Sequence, residues 1–340
     1  MATPEATARF DGPAYRDFEA PSSDGDLRLS SVGVGTYLGD ADDETDEAYV
    51  DAVLAAFDTG CNVIDTAINY RHQRSERAVG EAMREAELGR EEIFVATKGG
   101  YIPFDGGVPN NPSEYIHESY VETGLVPPNE TVQANCMGPE FLRSQVRQSL
   151  ENLGVDSVDL YYVHNPETHL REASEEELES RLRRAFEALE GEVEAGRIGA
   201  YGVATWNGFR VPEARNDHLS MERVVETARH AAGGDPALSA VQMPYNAKMT
   251  SAETVETQTV YGERMSAMEA ADELGLYAFT SAALMRGELT EERIEGARYG
   301  GTPAQDATEH ARTTEGVGTA LVGTSSAEHA KEDLAVLGDA

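Results

Sequence analysis

Short apolar runs rich in β-branched residues alternate along the chain with longer amphipathic segments. Runs with few charges, such as Val158–Val163, are typical of strands in a parallel sheet that is covered on both faces. The intervening segments have a helical period: apolar positions from Tyr49 to Phe57 form one stripe, and Gly60 follows it as a C-terminal cap. The pattern predicts eight strands, at Ser31–Gly35, Asn62–Asp65, Ile93–Thr97, Val158–Val163, Ala200–Ala204, Ser239–Met243, Leu276–Thr280 and Thr319–Val322.

Eight strands that alternate with helices predict a closed (β/α)8 barrel, the TIM-barrel architecture. An open, doubly wound sheet is the alternative. Its dinucleotide-binding fingerprint, G-x-G-x-x-G, is not met, because Gly33-Val-Gly35-Thr-Tyr-Leu lacks the third glycine. We therefore expect a single domain over residues 1–340, with residues 1–30 as an N-terminal extension.

The longest interval between predicted strands separates the third from the fourth. Its excess falls in residues 99–138, which are rich in Gly, Pro and Asn and contain four interleaved aromatic residues. Long loops after a barrel strand are usually functional or disordered. The aromatic residues favour an ordered loop, and we predict that residues 99–138 lie over the C-terminal mouth of the barrel.

Acidic residues dominate the charge of the chain. Among 340 residues, 62 are Asp or Glu and 27 are Lys or Arg, giving a formal net charge of −35, and three of the bases are lysines. Such a charge repels nucleic acid and anionic membrane surfaces, so neither is expected as a partner. At molar salt, screening acts over about 3 Å and removes most self-repulsion. The composition therefore predicts a halophilic, salt-in environment.

The chain also lacks the patterns of exported or membrane-spanning proteins. No run of 18 apolar residues is present, and the first ten residues contain no apolar core of a secretory signal. Two cysteines, Cys61 and Cys136, do not make a disulfide framework. The histidines are scattered without metal-ligand spacing, so we predict no metal site. A cytoplasmic location is the simplest interpretation.

Polar side chains stand at or just beyond the carboxyl ends of several predicted strands. Asp65 ends the second strand, Lys98 follows the third, His164 follows the fourth, and Tyr70 lies five residues beyond Asp65. In a barrel these ends converge on one mouth. A buried ammonium lowers the pKa of a neighbouring phenol, and a phenol tuned in this way can donate a proton to a carbonyl oxygen. The set predicts proton transfer at a carbonyl, with the hydride supplied by a cofactor.

Six motifs follow one another along the chain: Gly60–Tyr70, Val95–Lys98, Asp159–His164, Tyr201–Trp206, Val241–Gln242 and Leu321–Ser325. Each motif alone is a weak signal, but the whole series in this order resembles the aldo-keto reductases. The resemblance extends over roughly residues 31 to 337.

The resemblance implies a reductase that uses NADPH, and also NAD, on a small carbonyl substrate. It implies Tyr70 as the general acid/base, supported by Lys98 and Asp65, with His164 orienting the carbonyl. For the nicotinamide it implies contacts from Thr205, Trp206 and Gln242, with Phe279 stacked on the ring. For the adenosine phosphate and its surroundings it implies Gly323, Thr324, Ser325, His329, Glu332 and Asp333.

The assignment of the phosphate site has independent support, because Gly-Thr-Ser-Ser entering a helix offers free N–H groups to an anion. The chain also departs from the family. His329 stands where members that prefer NADPH often carry arginine, and Arg71–Arg74 replaces the glycine that commonly follows the tyrosine. An imidazole ordinarily titrates near pH 6.5 and is mostly neutral at pH 7, so it binds a 2′-phosphate less firmly than arginine does. We therefore expect weak discrimination between the two cofactors.

Two other functions remain open at this point. The first is a nicotinamide-binding regulatory subunit on the same barrel with little turnover. The second is an unrelated barrel lyase or hydrolase. A glycoside hydrolase needs two carboxylates across the mouth, and Asp65 is the one that clearly falls there. The identity of the carbonyl substrate, the physiological direction and the oligomeric state are not predicted.

Overall fold

Eight parallel strands form a closed barrel in the computed structural model, which describes residues 1–127, 130–291, 293–294 and 299–338. Each predicted strand is confirmed, with ends that differ by at most two residues. The neighbours around the barrel are β6-β7-β8-β1-β2-β3-β4-β5, and β5 pairs with β6 to close it. The strands are β1 Val32–Gly35, β2 Val63–Asp65, β3 Phe94–Gly99, β4 Val158–His164, β5 Ile198–Ala204, β6 Leu238–Pro244, β7 Tyr277–Ser281 and β8 Thr319–Gly323.

Helices follow the strands and pack around them. They are α1 Asp43–Asp58, α2 Arg74–Glu85, α3 Pro139–Leu153, α4 Glu175–Glu194, α5 Met221–Ala232, α6 Ala267–Glu273, α7 Pro303–Thr313 and α8 Ala327–Leu334. Shorter helical turns are Pro4–Thr7, Tyr70–Gln73, Arg90–Glu92, Pro112–Ile116, His117–Val121, Pro166–Arg171, Ser251–Thr254, Met285–Gly287 and Ala335–Leu337. None of the helices in the described ranges combines the length and apolar character needed to cross a membrane.

Local sequence signals explain where the helices begin and end. The Asp42 carboxylate accepts a hydrogen bond from the backbone N–H of Thr45 at 2.8 Å and caps the start of α1. Gly60, two residues after α1, has a φ of 88°, a left-handed conformation that glycine adopts without strain. The Ser174 hydroxyl caps α4 by accepting from the N–H of Glu177. The caps at Asp42 and Ser174 determine where a helix begins after a strand, and Gly60 lets the chain turn from α1 towards the start of β2.

A hairpin of two antiparallel strands, Tyr15–Glu19 and Asp26–Ser30, covers the amino end of the barrel. Its Phe18 ring lies 5.1 Å from Phe94 and 5.3 Å from Tyr277, ring centre to ring centre. Phe18 is buried in the same apolar cluster as these barrel residues. The N-terminal residues therefore contribute to the core, and the barrel opens at its carboxyl end.

The described part of residues 99–138 is an ordered excursion after β3. A short hairpin, Thr131–Val132 with Asn135–Cys136, pairs back onto the chain at Tyr101. Phe104, Tyr115 and Tyr120 form a chain of edge-to-face ring contacts that ends on Phe141 of α3. Among these aromatic residues, Tyr101 lines the cavity at the mouth. Phe104, Tyr115 and Tyr120 thus pack on one another and on α3. That residues 99–138 lie over the mouth stays a prediction.

The close contact of α2 with α3 depends on a glycine. A Cβ on Gly80 would lie 2.4 Å from the backbone oxygen of Leu153, at the end of α3. Gly191 of α4 is a matched helical glycine, whose Cβ would meet nothing within 4 Å.

We predict that Gly80→Ala destabilises the fold by about 2 kcal/mol or more, although alanine is the better helix former, because the added methyl forces α2 and α3 apart. Gly191→Ala should stabilise the fold by about 0.5–1 kcal/mol. Guanidinium unfolding of both variants checks this. Equal effects of the two substitutions would contradict the close contact.

Candidate active site

A cavity of about 460 Å³ opens at the carboxyl ends of the strands. Most of the residues predicted to lie at this mouth come together in the structure. The predicted residues that line the cavity are Asp65, Tyr70, His164, Thr205, Trp206, Gln242 and Gly323. Lys98 lies directly behind Asp65 and is fully buried.

An ion pair between Lys98 and Asp65 forms the floor of the site. The side chains are 0% and 5% exposed, and the ammonium donates to the Asp65 carboxylate and to the backbone oxygen of Thr66, the latter at 2.9 Å. The second carboxylate oxygen accepts from the Gln242 amide at 2.8 Å. Burial raises the pKa of Asp65 and lowers that of Lys98, and the contact between the two charges opposes both shifts.

Tyr70 lies between this pair and the open cavity. The Lys98 ammonium is 4.8 Å from the centre of the Tyr70 ring. The same ring makes edge contacts with Tyr37 at 5.1 Å and with His164 at 5.9 Å. Its position is therefore determined by three neighbours from three different strand ends.

The expectation that the ammonium lowers the pKa of the Tyr70 phenol is wrong. Burial raises that pKa well above its ordinary value, and the Asp65 carboxylate adds to the rise. Burial is the main reason, and the carboxylate that holds Lys98 also offsets the charge of the ammonium at the phenol. Tyr70 is thus a fully protonated phenol at neutral pH.

His164 ends β4, and its imidazole is neutral at physiological pH. Burial, with a smaller effect of the Lys98 charge, holds its pKa well below the ordinary value. The Tyr101 ring contacts the imidazole edge-on at 5.2 Å. Since a neutral imidazole keeps one N–H, His164 can donate a hydrogen bond into the cavity.

A buried chain of hydrogen bonds holds the backbone at His164. Arg181 donates to Nδ1 of His169 at 2.7 Å, so Nε2 of His169 carries the hydrogen and donates to Asn135 Oδ1 at 3.0 Å. The Asn135 amide then donates to the backbone oxygen of His164 at 2.8 Å. Burial and the neighbouring Arg181 lower the pKa of His169 to about 4. The hairpin after β3 is thereby tied to the end of β4.

The segment that replaces the expected glycine after Tyr70 is strained. Arg71, His72 and Gln73 have φ values of 46°, 57° and 73°, in the left-handed region that non-glycine residues avoid at a cost of about 1–2 kcal/mol each. The Arg71 guanidinium compensates by donating to the backbone oxygens of Asp40 and Asp42 and to the Asp46 carboxylate. These bonds hold the turn that carries Tyr70.

Three buried polar atoms around the cavity have no hydrogen-bond partner within the described part of the chain: Asn69 Oδ1, His164 Nδ1 and Thr205 Oγ1. Buried polar atoms in native proteins are normally satisfied. A carboxamide, which both donates and accepts, can satisfy such groups. The residues present therefore fit the polar end of a nicotinamide.

Phe279 does not face the cavity, and its predicted role as the stacking ring is wrong. Its ring is fully buried in the barrel interior, stacked on Phe94 at 5.9 Å and close to Tyr277 at 4.8 Å. Because side chains alternate along β7, the next inward position towards the mouth is Ser281, which lines the cavity. The prediction chose the wrong position along β7, because the strand continues two residues beyond Phe279 towards the mouth.

Of the remaining predicted cofactor residues, Gly323 lines the cavity, and the others follow it where β8 leads into α8. Thr324 is buried, Ser325 is half-buried, and the Ser326 hydroxyl caps the helix by accepting from the N–H of His329 at 3.4 Å. Asp333 is buried, and burial beside Glu332 raises its pKa to about 6. Contacts of Gly323, Thr324, Ser325, His329, Glu332 and Asp333 with a cofactor remain predictions.

Several lining residues were not singled out from the sequence. Asn69 and Asn165 adjoin predicted site residues, and Tyr37 lies two residues after β1, so position relative to a strand end could have found them. Tyr101 and Arg286 come from irregular segments and carry no such signal. Within the described ranges, no three His, Cys, Asp or Glu side chains are placed to hold a metal ion.

Comparison with known proteins agrees with the barrel architecture. A profile described as "Aldo/keto reductase family" matches residues 31–338. The chain belongs to this family. Among solved structures, it superposes on a glycerol dehydrogenase from Gluconobacter oxydans with a TM-score of 0.62 and 20% identity, covering 93% of this chain and 89% of that one. An aldo-keto reductase from Klebsiella pneumoniae in complex with NADPH gives 0.60 and 21%, covering 92% and 87%. At these identities the superpositions establish the fold.

Curated relatives in the family match only part of this chain. An NADH-specific methylglyoxal reductase of Escherichia coli is 31% identical over 147 residues, which are 41% of this chain and 39% of the relative. A D-threo-aldose 1-dehydrogenase of a Pseudomonas species is 30% identical over 47% of this chain and 44% of its own length. An aldo-keto reductase of Schizosaccharomyces pombe, named for NADP(+), is 28% identical over 65% and 48%. The matches span less than half of these relatives.

Proposed function

We propose that this aldo-keto reductase reduces a small aldehyde or ketone to the alcohol, with NADPH or NADH as hydride donor and Tyr70 as proton donor. The observation that carries the proposal is the meeting of Tyr70, His164 and the Lys98–Asp65 pair at one mouth. The names of the relatives, which refer to methylglyoxal and an aldose, support a small carbonyl substrate.

Each side chain has a role that its surroundings support. The chemistry that a nicotinamide would supply when bound here is the hydride for the carbonyl carbon. The Tyr70 phenol, held protonated by burial, gives its proton to the carbonyl oxygen, and the Lys98 ammonium stabilises the phenolate that remains. Asp65 keeps Lys98 charged and in place. The neutral His164 donates a hydrogen bond that orients the carbonyl oxygen.

The cofactor is proposed to extend from this site to the start of α8. Thr205, Trp206 and Gln242 line the cavity where the nicotinamide would bind. Gln242 also donates to Asp65, so it would link the carboxamide to the ion pair. Gly323, Thr324, Ser325 and His329 would receive the adenosine phosphate, and Glu332 and Asp333 would lie beside the adenosine.

The acid excess is proposed to be an adaptation to molar salt in a salt-in cytoplasm. The net charge of −35 and the presence of only three lysines support this. Exposed carboxylates cover much of the surface, for example along the first turn of α4, where Glu175, Glu176 and Glu177 follow one another.

We predict that Tyr70→Phe lowers kcat for carbonyl reduction at least a hundredfold, about 2.8 kcal/mol, because the phenol supplies the proton. The dissociation constant of NADPH, measured by fluorescence titration, should change less than threefold. A variant that keeps more than a tenth of kcat would exclude Tyr70 as the acid.

The pKa directions predict a flat pH profile. The lowered pKa of His164 keeps the imidazole neutral above pH 6, and the raised pKa of Tyr70 keeps the phenol protonated up to pH 9 and beyond. Accordingly, kcat for reduction at saturating NADPH should vary less than threefold between pH 6 and pH 9. A one-proton inflection near pH 6.5 or pH 8 would contradict these protonation states.

Cofactor preference should be modest. A 2′-phosphate is bound best by an arginine fork, and His329 stands in that position here. We expect the ratio of kcat/KM for NADPH to that for NADH to stay well below about a thousand, because an imidazole does not offer the paired donors of a guanidinium. A ratio above about a thousand, roughly 4 kcal/mol, would show that another base binds the phosphate.

The adaptation to salt predicts a melting temperature that rises steeply between 0.1 M and 3 M KCl, as screening removes the repulsion among carboxylates. Circular dichroism melts over this range measure it. A melting temperature that is flat over the whole range would rule out the halophilic interpretation and would leave the reductase proposal intact.

A further inference from the structure

One arginine at the cavity has no carboxylate partner among the residues that the structure describes. Asp65 and Arg286 are the residues of the cavity lining that carry formal charges, and Asp65 is paired with Lys98. Within the described residues, the Arg286 guanidinium makes no ion pair within 4 Å. In a chain with 62 acidic and 27 basic side chains, most exposed guanidinium groups would be expected to lie next to a carboxylate. The lining of the cavity therefore has one uncompensated positive charge.

Two aromatic rings hold this guanidinium over the mouth. Its central carbon lies 5.5 Å from the ring centre of Tyr37, after β1, and 5.9 Å from that of Trp206, after β5. Both rings are exposed, at 52% and 42%. The aromatic contacts attract a cation without neutralising it. Arg286 is thus positioned across the opening and stays available to an anion.

The backbone that carries Arg286 is strained. Ala282, Met285 and Arg286 have φ values of 62°, 48° and 56°, which non-glycine residues rarely adopt. A relaxed loop would carry the side chain elsewhere, so the placement over the cavity is imposed by the surrounding structure. Strained positions of this kind often occur at ligand-binding sites.

The guanidinium is close to the proposed reacting groups. Tyr37 lies between them, since its ring centre is 5.1 Å from that of Tyr70 and 5.5 Å from the guanidinium carbon. Asn69 and Thr205, whose side-chain oxygens are buried without a partner among the described residues, line the same cavity and indicate a polar ligand there. One small molecule can therefore reach both the phenol and the cation.

We propose that Arg286 binds a carboxylate of the carbonyl substrate held in this cavity, an inference that rests on the proposed function. A guanidinium offers paired N–H donors that match the two oxygens of a carboxylate. In a protein of charge −35 the overall field repels anions, so an anionic substrate needs such a local contact. The diphosphate of the dinucleotide is the competing source of an anion.

Two binding measurements distinguish these sources without requiring turnover. Isothermal titration calorimetry gives the dissociation constant of NADPH, and then those of 4-carboxybenzaldehyde and its uncharged methyl ester in the presence of saturating NADP+. The variants are Arg286→Ala and Arg286→Lys. Arg147→Ala, an exposed arginine of α3 outside the cavity lining, is the matched control for the loss of one positive charge.

We expect Arg286→Ala to weaken binding of 4-carboxybenzaldehyde at least tenfold, and binding of its methyl ester and of NADPH less than twofold. Arg286→Lys should weaken binding of the aldehyde less, and Arg147→Ala should change neither arm more than twofold. A weaker NADPH complex without a selective loss for the carboxylate aldehyde would assign the contact to the diphosphate and overturn the proposal. Changes below twofold in both arms, or equal losses for the aldehyde and its ester, would overturn it as well. Absence of turnover in the wild type would contradict the proposed function and leave both binding arms decisive.

Discussion

The site depends on one buried ion pair, that of Lys98 with Asp65. Two opposite charges with almost no exposure to water are costly to bury, and they persist because each satisfies the other and the Thr66 carbonyl and Gln242 amide satisfy the remaining groups. The pair links the neighbouring strands β2 and β3, and the hydrogen bond from Gln242 connects it to β6 across the barrel. It also supplies the only ammonium that contacts the Tyr70 ring among the described residues. The chemistry proposed for this protein follows from that contact.

The need to hold Tyr70 beside the ion pair explains why many hydrogen bonds fix the rest of the mouth. A phenol with a raised pKa gives up its proton only when the acceptor is well placed, so small displacements of Tyr70 or His164 would be costly. The Arg71 hydrogen bonds hold the strained turn after Tyr70, and the chain from His169 through Asn135 holds the end of β4. Buried carboxylate Glu167 accepts from the N–H groups of Trp206 and Asn207 and fixes the loop after β5. Rigid strand ends thus present a few precisely placed polar groups.

The strands and the proposed catalytic residues were predictable because local sequence patterns indicate both. Buried parallel strands appear as short uncharged runs, and Asp65, Lys98 and His164 are tied to strand ends by position alone. Phe279 was misassigned because an apolar ring at a strand end suits the interior as well as the mouth, and the pattern does not show where β7 stops. The direction of the Tyr70 pKa shift was mispredicted because it depends first on complete burial of the phenol and then on the nearby Asp65 carboxylate, and neither can be read from spacing along the chain. Asn135 and Arg286 reach the site through long-range packing, which no spacing along the chain records.

The central claim is that the Lys98–Asp65 pair serves the chemistry of Tyr70 more than the stability of the barrel. Its most direct test is the double variant Asp65→Asn with Lys98→Met, which removes both charges together and leaves no buried ion unpaired. The account predicts a melting temperature within about 5 °C of the wild type, an unchanged NADPH dissociation constant, and a kcat for carbonyl reduction at least a hundredfold lower, about 2.8 kcal/mol. A folded double variant that keeps more than a tenth of the wild-type kcat would contradict it.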